Sequence, residues 1–243
     1  MAPFAAGEVK ALFFDVFGTL VDWRSSIARE AKAVLEPNGD KLGHHIDWVA
    51  FAEAWRAEYQ PSMEEVRSGR RGYVLLDELH LENLARILPR FSLEGLSAET
   101  RRSLNRIWHR LDAWADVPQG MRRLHTKYRL APVSNGNIAI MVDLARHNGF
   151  VFDAILGSEI ARDYKPNRAV YLASARALGL EPSECAMVAA HSSDLAAAAG
   201  CGLRTAHVAR PDEYGPATGE AKPTVAVDFA ARDLLELADL LGT

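Results

Sequence analysis

Ala11-Leu12-Phe13-Phe14-Asp15-Val16-Phe17-Gly18-Thr19-Leu20 sets an apolar run against a single carboxylate, followed by a loop of small and turn-forming residues. The pattern predicts a buried strand that delivers Asp15 at its carboxyl end, where open α/β sheets place their chemistry. An ionised, poorly hydrated carboxylate in that position is a nucleophile. Two residues on stands Phe17 rather than a second acid, and that neighbour bears on which electrophile Asp15 attacks.

Outward from this stretch, four more short apolar runs read as strands, at 129–134, 154–157, 185–190 and 204–208. Helical periodicity falls between and after them, at 138–147, 169–178 and about 231–241. Strands alternating with helices predict an α/β fold, a Rossmann-like parallel sheet with helices on both faces. One interval breaks the alternation. From about residue 23 to 117 there is no strand signal but several apolar stripes at spacings of three and four, including Trp48, Phe51, Trp55 and Tyr59. The expected organisation is a catalytic core of residues 1–22 and 118–243 with a helical cap inserted at 23–117, and the active site in the crevice between them. The Pro/Gly-rich stretch 210–223 reads as a long surface loop.

The 243 residues suffice for one well-buried core plus a smaller insertion. A formal charge of −4 offers no basic field for a phosphate backbone, so nucleic acid is not an expected partner. Cys185 and Cys201 are too few for a disulfide framework or a Cys-x-x-Cys site. Neither a signal-like start nor an apolar run long enough for a membrane span is present, so the expectation is a soluble cytoplasmic protein with no membrane partner.

Four short motifs fall at or near the ends of these strands: Asp15-x-Phe17-Gly18-Thr19, Ser134-Asn135-Gly136, Lys165-Pro166 and His191-Ser192-Ser193-Asp194. In a parallel sheet they converge on one edge, bringing a nucleophile, a hydroxyl and amide pair, an ammonium and a second carboxylate around one point. In type and order the four motifs resemble those of the haloacid dehalogenase superfamily, over about residues 9–240.

Most members of that superfamily are phosphatases, which carry a second acid two residues after the nucleophile to protonate the leaving alkoxide. Phe17 cannot do that. Their Mg2+ cage also uses an acid four residues before the last one, and here that position is Ala190. A halide leaving group needs no proton, so both losses suit dehalogenation. The chain therefore more closely resembles the type II 2-haloacid dehalogenases, including a subgroup that begins Asp-Val-Phe-Gly-Thr-Leu-Val-Asp-Trp-Arg and has Ala-Ala-His before the last acid.

The resemblance implies hydrolysis of short 2-halocarboxylates, haloacetates and (S)-2-haloalkanoates, to 2-hydroxy acids, with no metal and no cofactor. Asp15 attacks C2 with inversion and water hydrolyses the resulting ester. Thr19 holds the Asp15 rotamer, Lys165 keeps it ionised and Asp194 orients or activates the water, although Asp194 also reads as a helix cap. Ser134 and the main-chain N–H groups of Val16 and Phe17 bind the substrate carboxylate. Asn135 and a cap arginine hold the halide; Arg56 is the best candidate, with Arg24 and Arg67 competing. Tyr171 packs against or hydrogen-bonds the catalytic loop, while Phe17 and Trp23 wall the alkyl chain. His191 departs from the asparagine usual there and reads either as a polar group near the ester or halide or as a histidine bonded within the core. Relatives in the subgroup that accept fluoroacetate extend the expected halogens to fluorine. A homodimer is implied by resemblance, but the leucine stripes mostly read as internal core. The competing functions are a Mg2+-dependent phosphatase and a non-catalytic binding protein that retained the fold.

Overall fold

The computed structural model describes residues 8–36 and 45–243; the parts of the expected core and cap at 1–7 and 37–44 lie outside the described residues. Along the chain, β1 (Ala11–Phe14) leads through the Asp15 loop to β2 (Val21–Asp22). Among the described residues five α-helices follow, α1 (Trp23–Leu35), α2 (Trp48–Ala57), α3 (Tyr59–Arg67), α4 (Leu76–Ile87) and α5 (Ala98–Asn105), before β3 (Asp112–Ala113). Then come α6 (Val117–Leu124), β4 (Arg129–Ser134), α7 (Ile138–Asn148), β5 (Leu156–Gly157), α8 (Ser158–Ala161) and α9 (Arg168–Ala177). The chain closes with β6 (Cys185–Ala189), α10 (Ser192–Ala199), β7 (Arg204–Val208), β8 (Phe229–Ala231) and α11 (Leu234–Leu240).

The fold is α/β and Rossmann-like, a six-stranded sheet in the order β5-β4-β1-β6-β7-β8 whose neighbouring strands all pair in parallel. β1 sits at its centre with every residue fully buried. Side chains alternate across a strand, so Leu12 and Phe14 enter one apolar cluster and Ala11 and Phe13 the other. Burial on both faces explains why the sequence reads as a continuous apolar run rather than an alternating one. At the carboxyl ends of β1, β4 and β6 the chain turns into the loops that carry Asp15, Asn135 and His191.

A two-stranded antiparallel ribbon, Val21 opposite Ala113 and Asp22 opposite Asp112, joins the two passages between the sheet and the helical segment. Asp22 also starts α1 by accepting the Ser25 N–H at 3.0 Å. Asp47 does the same for α2, accepting from Val49 and Ala50 at 3.0 Å each, which satisfies N–H groups that a first helical turn leaves unpaired. Two features went unpredicted. The ribbon strands are two residues each, and β8 is a three-residue edge strand with only Ala231 buried, so neither leaves an apolar run in the sequence. Among the described residues no helix is long and apolar enough to cross a membrane.

Candidate active site

The four motifs meet at the sheet edge around a cavity of about 350 Å³. Its walls come from both sides: Asp15, Asn135, Lys165, His191 and Asp194 from the sheet side, and Arg56, Tyr59 and Gln60 from α2 and α3. Tyr214, in the loop after β7, closes one side.

Asp15 is buried, and each carboxylate oxygen is bonded. Oδ1 accepts from Lys165 Nζ at 2.9 Å, and Oδ2 accepts from Thr19 Oγ1 at 2.8 Å with His191 Nδ1 at 3.0 Å. Thr19 lies behind the carboxylate, fully buried, and its hydroxyl accepts in turn from the Ala190 N–H at 2.9 Å. That chain of bonds ties the end of β1 to the end of β6 and fixes the Asp15 rotamer.

Lys165 is the hub. Its ammonium reaches Asp194 Oδ2 at 2.5 Å as well as Asp15, and its main-chain N–H donates to Asn135 Oδ1 at 2.8 Å. Asp194 stands in the first turn of α10 without capping it; its other oxygen accepts from Tyr171 Oη at 2.6 Å. Among the described residues no three His, Cys, Asp or Glu side chains are grouped to hold a metal ion. The ammonium of Lys165 lies between the Asp15 and Asp194 carboxylates.

Charge and burial set the protonation states. Burial works against ionisation of Asp15, but Lys165 and His191 outweigh it and hold the carboxyl well below the usual carboxylate range. Burial also opposes charge on Lys165, yet Asp15 and Asp194 raise its pKa. For Asp194, burial together with the nearby Asp15 charge outweighs Lys165 and pushes the carboxyl up, which makes it the better proton acceptor of the pair. Burial opposes the His191 imidazolium too, but its bonds to Asp15 and Glu213 lift it to about 10. The ring is charged at neutral pH.

Arg56 reaches the cavity from α2 with its guanidinium 3.9 Å above the Tyr59 ring, and its Nη1 is buried with no hydrogen-bond partner among the described residues. The other two arginines are occupied. Arg24 pairs with Glu53 at 2.7 Å, and Arg67 pairs with Glu64 and donates to the Lys165 carbonyl at 3.0 Å. Phe17 packs edge-on against Trp108 and Tyr59 and forms an apolar wall.

Three expected residues do not line the cavity. Ser134 is fully buried behind it, its Oγ accepting the Gly136 N–H at 3.0 Å, which turns the chain so that Asn135 faces in. Val16 and Trp23 are also buried behind the wall, and the Val16 carbonyl is used by Leu20 and Val21. The stretch 210–223 is a loop but not simply a surface one. Arg210 and Glu213 are buried within it, Arg210 donating to the Thr19 carbonyl at 2.8 Å and pairing with Asp116. Glu213, Tyr59, Gln60 and Tyr214 are site residues that sequence reasoning missed. Tyr59 was legible only as part of a helical stripe, and nothing in the composition of 210–223 marks Glu213.

The model of the haloacid dehalogenase-like hydrolase family matches residues 9–202. The crystal structure of a defluorinating L-2-haloacid dehalogenase is similar at a TM-score of 0.92 with 40% sequence identity, covering 100% of both chains. That of another L-2-haloacid dehalogenase gives 0.90 with 40% identity, over 96% of this chain and 99% of the other. In sequence, the (S)-2-haloacid dehalogenase of Pseudomonas sp. (strain YL) is 29% identical over 83% of each chain.

Proposed function

The chain belongs to the haloacid dehalogenase-like hydrolases and, within them, to the L-2-haloacid dehalogenases, and on that premise we propose that it hydrolyses short (S)-2-halocarboxylates through an ester on Asp15. The observation that carries the reading is one ionised carboxylate in the same cavity of about 350 Å³ as a buried guanidinium nitrogen that has no hydrogen-bond partner among the described residues. A 2-halocarboxylate fills that arrangement. Asp15 attacks C2 as the carbon–halogen bond breaks, and the halide leaves with the bonding pair toward Arg56 and Asn135, needing no proton.

The main-chain N–H groups at Val16 and Phe17, which have no main-chain acceptor among the described residues, would take the substrate carboxylate, with Ser134 shaping the adjoining turn rather than touching substrate. Lys165 holds Asp15 ionised and aimed, and Asp194 accepts a proton from the water that attacks the ester. Phe17 and Tyr59 give the cavity an apolar wall that suits the short alkyl chain of a haloacetate or 2-halopropionate. Fluoroacetate belongs to the proposed range because a 40% identical relative is a defluorinating enzyme. The same reading takes residues 23–117 as a cap over the core, the reaction as metal-independent, the protein as cytoplasmic and its assembly as a homodimer, the last to be measured by sedimentation.

The test is incubation with chloroacetate, fluoroacetate, each enantiomer of 2-chloropropionate and a generic phosphate ester, with and without EDTA. Halide release that resists EDTA and prefers the (S) enantiomer is expected. Asp15→Asn should lower it by about 10⁴-fold or more, the scale on which loss of a nucleophile is felt. Mg2+-dependent phosphate release with no halide would overturn the reading in favour of a phosphatase, and a parent as inert as Asp15→Asn would favour a binding protein.

A further inference from the structure

Two residues that mark the sequence subgroup, Trp23 and His191, meet on a third segment that the motifs do not include. Glu213 is 1% exposed. Its Oε1 accepts from Trp23 Nε1 at 3.1 Å, and its two oxygens lie 3.1 and 2.9 Å from His191 Nε2. Gly18 makes the space for it: with φ at +88°, a Cβ there would stand 2.1 Å from Glu213 Oε1. The opposite ring nitrogen of His191 faces Asp15 Oδ2 at 3.0 Å. A neutral imidazole donates from one nitrogen only, so a ring held between two carboxylates is arranged to donate from both.

We propose that Glu213 is a positioning residue that acts through His191, holding the ring so that it and Thr19 form the oxyanion site for hydrolysis of the Asp15 ester. The inference rests on the ester reading above. Oδ2 already has two donors, whereas Oδ1 has only Lys165 and keeps a lone pair for C2. Oδ1 therefore becomes the ester oxygen and Oδ2 the carbonyl oxygen. Water bonds to Cγ and gives one proton to Asp194, while the π pair of the Cγ–Oδ2 bond moves onto Oδ2, between Thr19 and His191. On collapse that pair re-forms the carbonyl and the Cγ–Oδ1 bond breaks. The departing alkoxide takes the proton from Asp194, and the regenerated Asp15 carboxyl loses the second water proton to solvent. Donors placed in advance on the oxygen where charge develops cost no reorganisation during the step.

The charged neighbours of His191 fit this role. Asp15 and Glu213 bond the ring directly, and Lys165, Asp194 and Arg56 line the same cavity. Tyr214 in the same cavity is pushed up by burial and by Glu213, and on β7 burial keeps the His207 pKa low, which nearby Glu220 does not reverse. With His207 neutral, His191 is the titrating donor.

The test is rapid-quench turnover of (S)-2-chloropropionate with intact-mass detection of the enzyme-bound ester. Glu213→Gln should release about one equivalent of chloride per enzyme at near the parental rate, then turn over roughly 10²-fold more slowly as the ester accumulates. The burst counts the folded sites. The alkaline limb of its pH profile should move about one unit or more toward neutrality, because the ring has lost one of its two anions. In a His191→Ala background, Glu213→Gln should add no further loss. Parental ester hydrolysis in Glu213→Gln, an unmoved alkaline limb, or an equal loss in the His191→Ala background each overturns the assignment. A parent enzyme that releases no halide and forms no adduct overturns the ester reading, and this inference with it.

Discussion

On the sheet side of the cavity, Asp15, Lys165, Asp194, His191 and Glu213 bond one another in an unbroken chain. On the helical side, Arg56 Nη1, both ring nitrogens of His80 and Trp108 Nε1 are buried with no hydrogen-bond partner among the described residues. His80 stacks on Trp108 with ring centroids 3.9 Å apart, and burial, helped by Arg56, drives its pKa well below the ordinary value. The sheet side thus meets the cost of burying charge within the protein itself. The helical side leaves one cation to be completed by whatever binds. On the proposed function, the reacting groups are fixed before substrate arrives, and Arg56 gains its partner from the substrate.

Replacing the hub should break this contrast most severely. Lys165→Met leaves Asp194 buried without a cation and Asp15 with His191 alone, and should destabilise the protein by about 3–5 kcal/mol while abolishing halide release. Urea unfolding and a halide electrode check the two effects together. Parental stability would show that the sheet-side network is not held by this ion pair.

Arg56→Met should sharpen the contrast in the opposite sense. It keeps an apolar stem near Tyr59 and removes the unpaired guanidinium, so stability should stay within about 1 kcal/mol of the parent. kcat/KM for 2-chloropropionate should fall about 10²-fold, the scale of a lost buried charged contact. A large loss of stability would mean that Arg56 serves the helices rather than the substrate.

The mildest effect is a pH dependence confined to the sheet side. The folded protein raises His191 from 6.5 to about 10, so its charge contributes stability that is complete below about pH 6.5 and is lost as pH rises through 10. For Asp15 the pKa is depressed, so its contribution is present above the unfolded carboxylate range and is lost only in acid. Unfolding of parent and His191→Ala should therefore differ most near pH 6 and converge toward pH 10. A gap that widens with pH would show the ring to be neutral in the folded protein.

Much of this was legible in the chain because it is local. The β1, β4, β6 and β7 runs announce themselves as buried strands, and the carboxylate, lysine and final acid follow strand ends at recognisable spacing. Three arginines, however, remained open as halide ligands until packing gave Arg24 to Glu53 and Arg67 to Glu64 and the Lys165 carbonyl. Ser134, a hydroxyl in the right motif, turned out to be spent on its own turn. Glu213 was invisible for a plain reason: an acid in a Pro/Gly-rich stretch looks solvated, and its burial depends on Gly18 and Trp23, about two hundred residues earlier in the chain.

The sequence by itself determined the sheet, the carboxylate at the end of its central strand and the absence of a second acid at Phe17, since apolar runs and the residues at their ends act over a few positions. Only the tertiary structure decided which arginine is left unpaired, that Lys165 stands between two carboxylates, and that His191 is held by Glu213. Those outcomes depend on which charges share a buried space. That is a property of distances across the fold, and spacing along the chain does not encode it.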